Sequence, residues 1–158
     1  MSQVKIHPVS VTTFIDRLHL AFADGDPEAT AKAAEADNVR RLQEQYRALA
    51  QGDFGPAFAA LADDVEMEFF GPAGSPLVGA WRGRQQVADA IRSGFGLLEE
   101  QSTEVLAVIA QGDTVVVNSR ETGRIRTTGQ PYAWQWVQFF TFRDGQIVRF
   151  RGLHVDAA

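Results

Sequence analysis

From Asn38 onward the apolar positions of this chain repeat in patterns that define elements. In "NVRRLQEQYRALAQGD" the residues Val39, Leu42, Tyr46 and Leu49 recur at helical spacing, with Asp37 or Asn38 available to cap the start and Gly52 to end it. Asp53 can cap a second short helix that carries Phe54, Phe58 and Leu61 on one side. "DDVEMEFF" changes to period two, with Val65, Met67 and Phe69 alternating against Glu66 and Glu68, which is strand behaviour. The glycines and prolines of "GPAGSPLVGAWRG" read as a loop, and a helix is expected from about Arg84 to Leu98 with Val87, Ile91, Phe95 and Leu98 as its stripe.

After Ser102 every segment reads as strand or turn. "TEVLAVIA", "TVVVNSRETG", "RIRTTGQPY", "AWQWVQFFTF" and "QIVRFRGLHV" are rich in β-branched and aromatic residues, and Asp144-Gly145 is a hairpin signal. Helices followed by a strand meander imply an α+β domain, with helices on one face of a mostly antiparallel sheet. Residues 1–37 differ: a short amphipathic helix (Val11, Phe14, Ile15, Leu18, Phe22) precedes an alanine-rich polar helix, and the segment reads as a helical extension ahead of a domain at 38–158. "AFADGDPEATAKA" echoes "ALAQGDFGPAFAA" at an offset of 27 residues, but one echo does not make a solenoid.

Composition narrows the classes. A chain of 158 residues, 45% hydrophobic, with three Trp, two Tyr and eleven Phe, can bury one substantial core. The absence of cysteine excludes disulfides, thiol nucleophiles and thiolate-bound zinc. A net charge of −5 and scattered basic residues argue against nucleic acid as a partner, although Arg120, Arg124, Arg126, Arg143, Arg149 and Arg151 gather in the C-terminal half, where a solvated sheet face or subunit contact explains them. No leader pattern opens the chain and no apolar run approaches the ~20 residues of a membrane span, so a cytoplasmic protein without membrane contact is expected.

Several residues bear on chemistry. Asp63, Asp64, Glu66 and Glu68 resemble a carboxylate cluster, but period two puts Glu66 and Glu68 on one outward face, and no metal site is expected. "GFG" at Gly94 lacks the strand-loop-helix setting of a phosphate cradle, and without a Gly-x-Ser-x-Gly elbow covalent acyl chemistry has no motif behind it. An inward Arg149 and Arg151 would bury two charges, so period two turns the intervening Phe150, and with it Gly152 and His154, toward the interior.

The stretches "YRALAQGDFGPAFAALADDVEMEFFGP", "VGAWRGRQQVADAI", "QGDTVVV" and "TTGQPYAWQWVQFFTFRDGQIVRFR" resemble a SnoaL-like, ketosteroid-isomerase-like domain of the nuclear-transport-factor-2-like superfamily. The resemblance implies a cone: a strongly curved, mostly antiparallel sheet wrapped around helices, leaving an apolar pocket at its open end. It turns Trp134, Trp136, Gln138, Phe140 and Phe142 of one strand inward, together with Val148, Phe150, Gly152 and His154 of the next. Carried over position by position, the isomerase base falls on Phe69, the acid donor on Gln138, and the tyrosine on Gln45 with Tyr46 one step further round the helix. Phe69 cannot take a proton and Gln138 cannot titrate, so steroid isomerisation is not supported.

What the resemblance leaves is a small-molecule pocket, with Gln138 and His154 facing one hollow. His154 is the candidate acid or base, Gln138 and Tyr46 are polar anchors, and Glu121 is a second possible acid at the end of its strand. Gln45, Met67, Phe69, Trp81, Trp134, Trp136 and Phe150 are expected to contact the ligand. Proton-transfer chemistry of isomerase, cyclase or dehydratase type on an apolar cyclic or polyketide-like molecule follows, with no cofactor. The competing expectation is a non-catalytic assembly module. In either case a homodimer is expected through the outer sheet face, where Val137, Phe139 and Thr141 lie beside Arg149 and Arg151.

Overall fold

A computed structural model describes residues 27–157. The amphipathic helix expected at Val11 to Phe22, and His7 and His19, lie outside the described residues. Helix α1 spans Pro27–Ala50 without a break, so Asp37 and Asn38 are interior to it rather than caps. No glycine or proline interrupts its alanine-rich first half, and Asp37 instead accepts a hydrogen bond from Arg40 one turn on, at 2.8 Å. That first half is also tied to the sheet, because Glu35 accepts the Gly112 backbone N–H at 2.7 Å. Gly52, at φ +77, ends the helix as its sequence position suggests.

Helix α2 (Gly55–Ala59) leads into β1 (Leu61–Phe70). Asp53 stands just ahead of α2, where its carboxylate accepts the Gly55 N–H at 2.9 Å. Part of the expected loop is a short strand, β2 (Gly79–Arg82), antiparallel to β1; four residues at a sheet edge are too few to show a period. Helix α3 (Arg84–Gly96) precedes four long strands, β3 (Leu98–Gln111), β4 (Thr114–Ile125), β5 (Pro131–Arg143) and β6 (Gln146–Asp156). The expected strand "RIRTTGQPY" is mostly the β4–β5 turn, closed by Gly129 N–H to the Ile125 carbonyl at 2.7 Å.

The sheet has six strands in the order β2-β1-β6-β5-β4-β3, and its single parallel pair joins β1 to β6. Asp144 and Gly145, at φ 52 and 76, form the β5–β6 hairpin with both central residues left-handed. Past that hairpin the ladder slips between Thr141 and Phe142, which leaves Val148 in a bulge and turns Ile147 into the core in its place. The main core packs Val39 and Leu42 of α1 and Val87 and Ala88 of α3 against the inner sheet face at Val65, Met67, Val115, Val117, Phe140 and Phe150. Glu66 and Glu68 point outward, where they meet Arg149 at 3.5 Å and Arg151 at 2.8 Å on the neighbouring strand.

Candidate functional site

The inner face of the sheet carries two polar groupings, with aromatic rings between them. The first begins on α1. Tyr46 follows Val39 and Leu42 on the buried stripe, and its hydroxyl donates to Gln138 Oε1 on β5 at 2.7 Å. Burial, and secondarily the negative charge of Glu121, push the Tyr46 phenol well above its ordinary range, so it stays a donor. With the Gln138 carbonyl oxygen engaged, its Nε2 is the donor end of the amide. A cavity of about 40 Å³ adjoins Tyr46, lined by Val39, Leu42, Gln43, Val105, Val108 and Val117. Gln45, the residue before Tyr46, is buried.

Glu121 belongs to the same face. Val115, Val117 and Ser119 are buried in alternation along β4, and Glu121 continues that series opposite Trp134. Its Oε1 accepts from the Tyr132 hydroxyl at 2.8 Å and from Gln101 Nε2 at 3.5 Å. Burial pushes the Glu121 carboxyl up, while the bonds from Tyr132 and Gln101 pull it back. Two local devices build this arrangement. The β3–β4 ladder slips between Glu99 and Ser102, with Glu100 at φ 53, and Gln101 lies in the bulge so formed. Gly123 sits opposite Tyr132, and a Cβ there would stand 2.7 Å from the Tyr132 hydroxyl, so glycine makes room for that ring. Tyr132 in turn stacks on Trp134 at 4.0 Å.

His154 forms the second grouping. It is fully buried, its ring 4.4 Å from Trp136 and 4.9 Å from Trp134, and its Nε2 lies 2.9 Å from Ser75 Oγ. Burial lowers the imidazole pKa, against the opposing influence of the Phe70 backbone and the Asp156 charge. Nδ1 makes no hydrogen bond of ordinary geometry, and neither does Trp136 Nε1. The cover is the loop between β1 and β2, where Gly71 is required: a Cβ there would lie 2.7 Å from Nδ1.

The shared hollow expected for Gln138 and His154 is filled. Phe69 sits 5.5 Å from Trp136, 5.0 Å from Phe150 and 6.3 Å from Trp81, and a Cβ at Gly152 would meet Phe69 at 3.0 Å and Trp136 at 3.2 Å. Gly152 pairs with Gln138, so these rings lie on the sheet between the amide and the imidazole. Met67 is buried in the main core. The structure thus joins Tyr46 to Gln138, holds Glu121 with Tyr132 and Gln101 farther along the same face, and pairs His154 with Ser75. Tyr132, Gln101 and Ser75 escaped the sequence reading. Period two along β5 would have found Tyr132, two residues before Trp134, whereas no pattern in a glycine and proline loop marks Ser75. Among the described residues no three His, Asp or Glu side chains are grouped to hold a metal ion, and no helix is long and apolar enough to cross a membrane.

A curved sheet with helices on its inner face and polar groups spaced among aromatic rings defines the class of NTF2-like α+β cones. Within that class the chain belongs to the SnoaL-like domain family, whose pattern matches residues 42–150. An NTF2-like protein from Burkholderia xenovorans LB400 is 27% identical, with a TM-score of 0.65 over 75% of this chain and 88% of its own. One from Burkholderia pseudomallei K96243 is 25% identical, with a TM-score of 0.64 over 73% and 88%. An LEH-like epoxide hydrolase from M. tuberculosis shares the fold at 21% identity and a TM-score of 0.59, over 76% of this chain and 84% of its own. No protein of curated function matches the chain.

Proposed function

We propose that this SnoaL-like chain binds an apolar small molecule against its inner sheet face and transforms it by proton transfer, with Glu121 as the acid or base and the Tyr46–Gln138 pair as the anchor for a ligand oxygen. One observation carries the reading. A carboxyl whose pKa burial raises lies on the inner face, held by Tyr132 at 2.8 Å, and its charge adds to the upward push on the Tyr46 phenol. Trp134 and Tyr132 supply flat apolar walls beside it. His154, beneath its loop, is less accessible than Glu121 and is not needed for this role. The reaction class fits a family fold that includes an epoxide hydrolase-like relative.

A thermal-shift screen of steroids, terpenoids and aromatic polyketides tests the binding, since a ligand at ~100 times its dissociation constant adds about 2.7 kcal/mol of stability. With a ligand in hand, Glu121→Gln is expected to keep the binding and abolish turnover. Retained turnover in that variant rules out Glu121 as the reacting group.

The outer face supports a second role, pairing with another copy of the chain. Phe139, Leu153 and Val155 are 45%, 48% and 50% exposed on adjacent strands, with Phe70 beside Leu153 on β1. This patch is rimmed by Arg149 and Arg151, both engaged by glutamates of their own chain.

A further inference from the structure

The Ser75–His154 pair stands outside the Glu121 site, and its geometry is that of a nucleophile and its base. Ser75 Oγ lies 2.9 Å from Nε2. The Leu77 N–H donates to the same Oγ at 3.3 Å, which orients the hydroxyl and leaves its proton free to be given to Nε2. The imidazole cannot turn away. Trp134 and Trp136 pack against it, and the absence of a side chain at Gly71 lets the loop press on its remaining side. Ser75 is only half-buried, between exposed Gly74 and Pro76, and the exposed apolar Val78 is three residues away. A buried base thus meets the hydroxyl of a half-buried serine in a loop whose neighbouring residues are exposed.

We propose that Ser75 is an acylation site, activated by His154 and open to apolar esters. The Oγ–C bond forms at the ester carbonyl carbon as the hydroxyl proton passes to Nε2. The carbon–oxygen bond to the leaving alcohol then breaks, and that alcohol leaves with the electron pair and takes the proton back from Nε2. Water attacking the acyl-serine by the same route restores the hydroxyl and releases the acid. Burial lowers the imidazole pKa and so keeps it in the neutral, proton-accepting form near neutral pH; Asp156 is the charged group acting against this.

The test uses the full chain with p-nitrophenyl acetate and locates acetyl groups by peptide mass spectrometry. Ser75 is expected to be acetylated about 100-fold faster than the exposed Ser93 and Ser102, in keeping with the usual contribution of a general base. His154→Gln is expected to bring Ser75 down to the level of Ser93, and Ser75→Ala to remove the corresponding burst of p-nitrophenolate. If His154→Gln does not fold, the pH profile of the unaltered chain decides. Acetylation of Ser75 then levels off above the imidazole ionisation, whereas an unassisted serine gains about tenfold per pH unit throughout. Labelling of Ser75 no faster than Ser93, an unchanged rate in a folded His154→Gln, or a profile without a plateau each overturns the proposal.

Discussion

Tyr46 and Gln138 stand 92 residues apart in the chain and are joined by a hydrogen bond of 2.7 Å, which ties α1 to the centre of the sheet. Tyr46→Phe keeps the ring and its edge contact with Phe140 but leaves Gln138 Oε1 without its donor. A loss of about 1–3 kcal/mol is expected, read as a lower midpoint in denaturant with an unchanged slope. An unchanged midpoint would mean that solvent satisfies the amide equally well.

The same phenol sets an alkaline limit. Its pKa in the folded chain lies above the ordinary value of 10.0, so below that pH both folded and unfolded forms keep the proton and stability is unaffected. As pH rises past about 10 the unfolded chain releases a proton that the folded chain holds, and stability falls. Tyr132 is raised by burial and by Glu121, so it acts in the same direction. Thermal melts from neutral to strongly alkaline pH are expected to show this decline, reduced in Tyr46→Phe.

Glu121 is expected to cost stability at neutral pH. Its folded pKa is raised, so on passing upward through the ordinary carboxylate range the unfolded chain ionises first and the folded state loses ground. Glu121→Gln keeps an acceptor for the Tyr132 hydroxyl and removes the charge. A higher melting temperature is therefore expected for the variant at pH ~7, with the advantage vanishing once pH falls below the unfolded carboxyl's range, near ~4. A variant less stable than the parent at neutral pH would show that the bonds from Tyr132 and Gln101 outweigh the burial.

The sequence pattern reached the fold through its long elements. The α1 stripe at Val39, Leu42 and Tyr46, the alternation of Val65 and Met67, and the Asp144-Gly145 turn each have a local cause, and each reappears in the structure. Where the reading failed, the deciding contact was remote. Val148 was expected inside, but the slip beside Phe142 puts Ile147 there, and nothing local in "GQIVRF" marks a bulge. The inward turn of His154 was legible from period two and that of Gln138 from the family resemblance, yet either says only which face a side chain occupies. Neither says that Phe69 and Trp136 fill the space above Gly152, a result of packing between strands distant in sequence.

His154 sets the acid limit. Its pKa is lowered in the folded chain, so above the ordinary value of 6.5 both states are neutral, and below it the unfolded chain gains a proton that the buried ring resists. Stability is expected to fall as pH drops below about 6.5, and His154→Asn is expected to flatten that limb of the curve. Gly71→Ala attacks the same spot sterically, since a methyl group 2.7 Å from Nδ1 must displace the ring or the loop. A cost of about 1–3 kcal/mol is expected, measured by denaturant unfolding. A Gly71→Ala chain as stable as the parent would show that the loop does not press on the imidazole.

Pairing through the outer face makes the last prediction. Phe139, at 45% exposure, and Leu153, at 48%, lie on adjacent strands near the centre of the exposed apolar surface. Their inward neighbours Gln138 and Gly152 belong to the ring-filled interior, so charge placed on the outer side chains leaves the core untouched. Phe139→Asp with Leu153→Asp is expected to turn a dimer into a monomer, seen as a halved mass in light scattering, with an unchanged far-ultraviolet dichroism spectrum. Because the arginines on this face are held by Glu66 and Glu68, salt is expected to alter the dimer little, leaving apolar burial as its main source of affinity. A parent chain that scatters as a monomer at all concentrations would end the assembly reading and leave the inner face as the place to look for function.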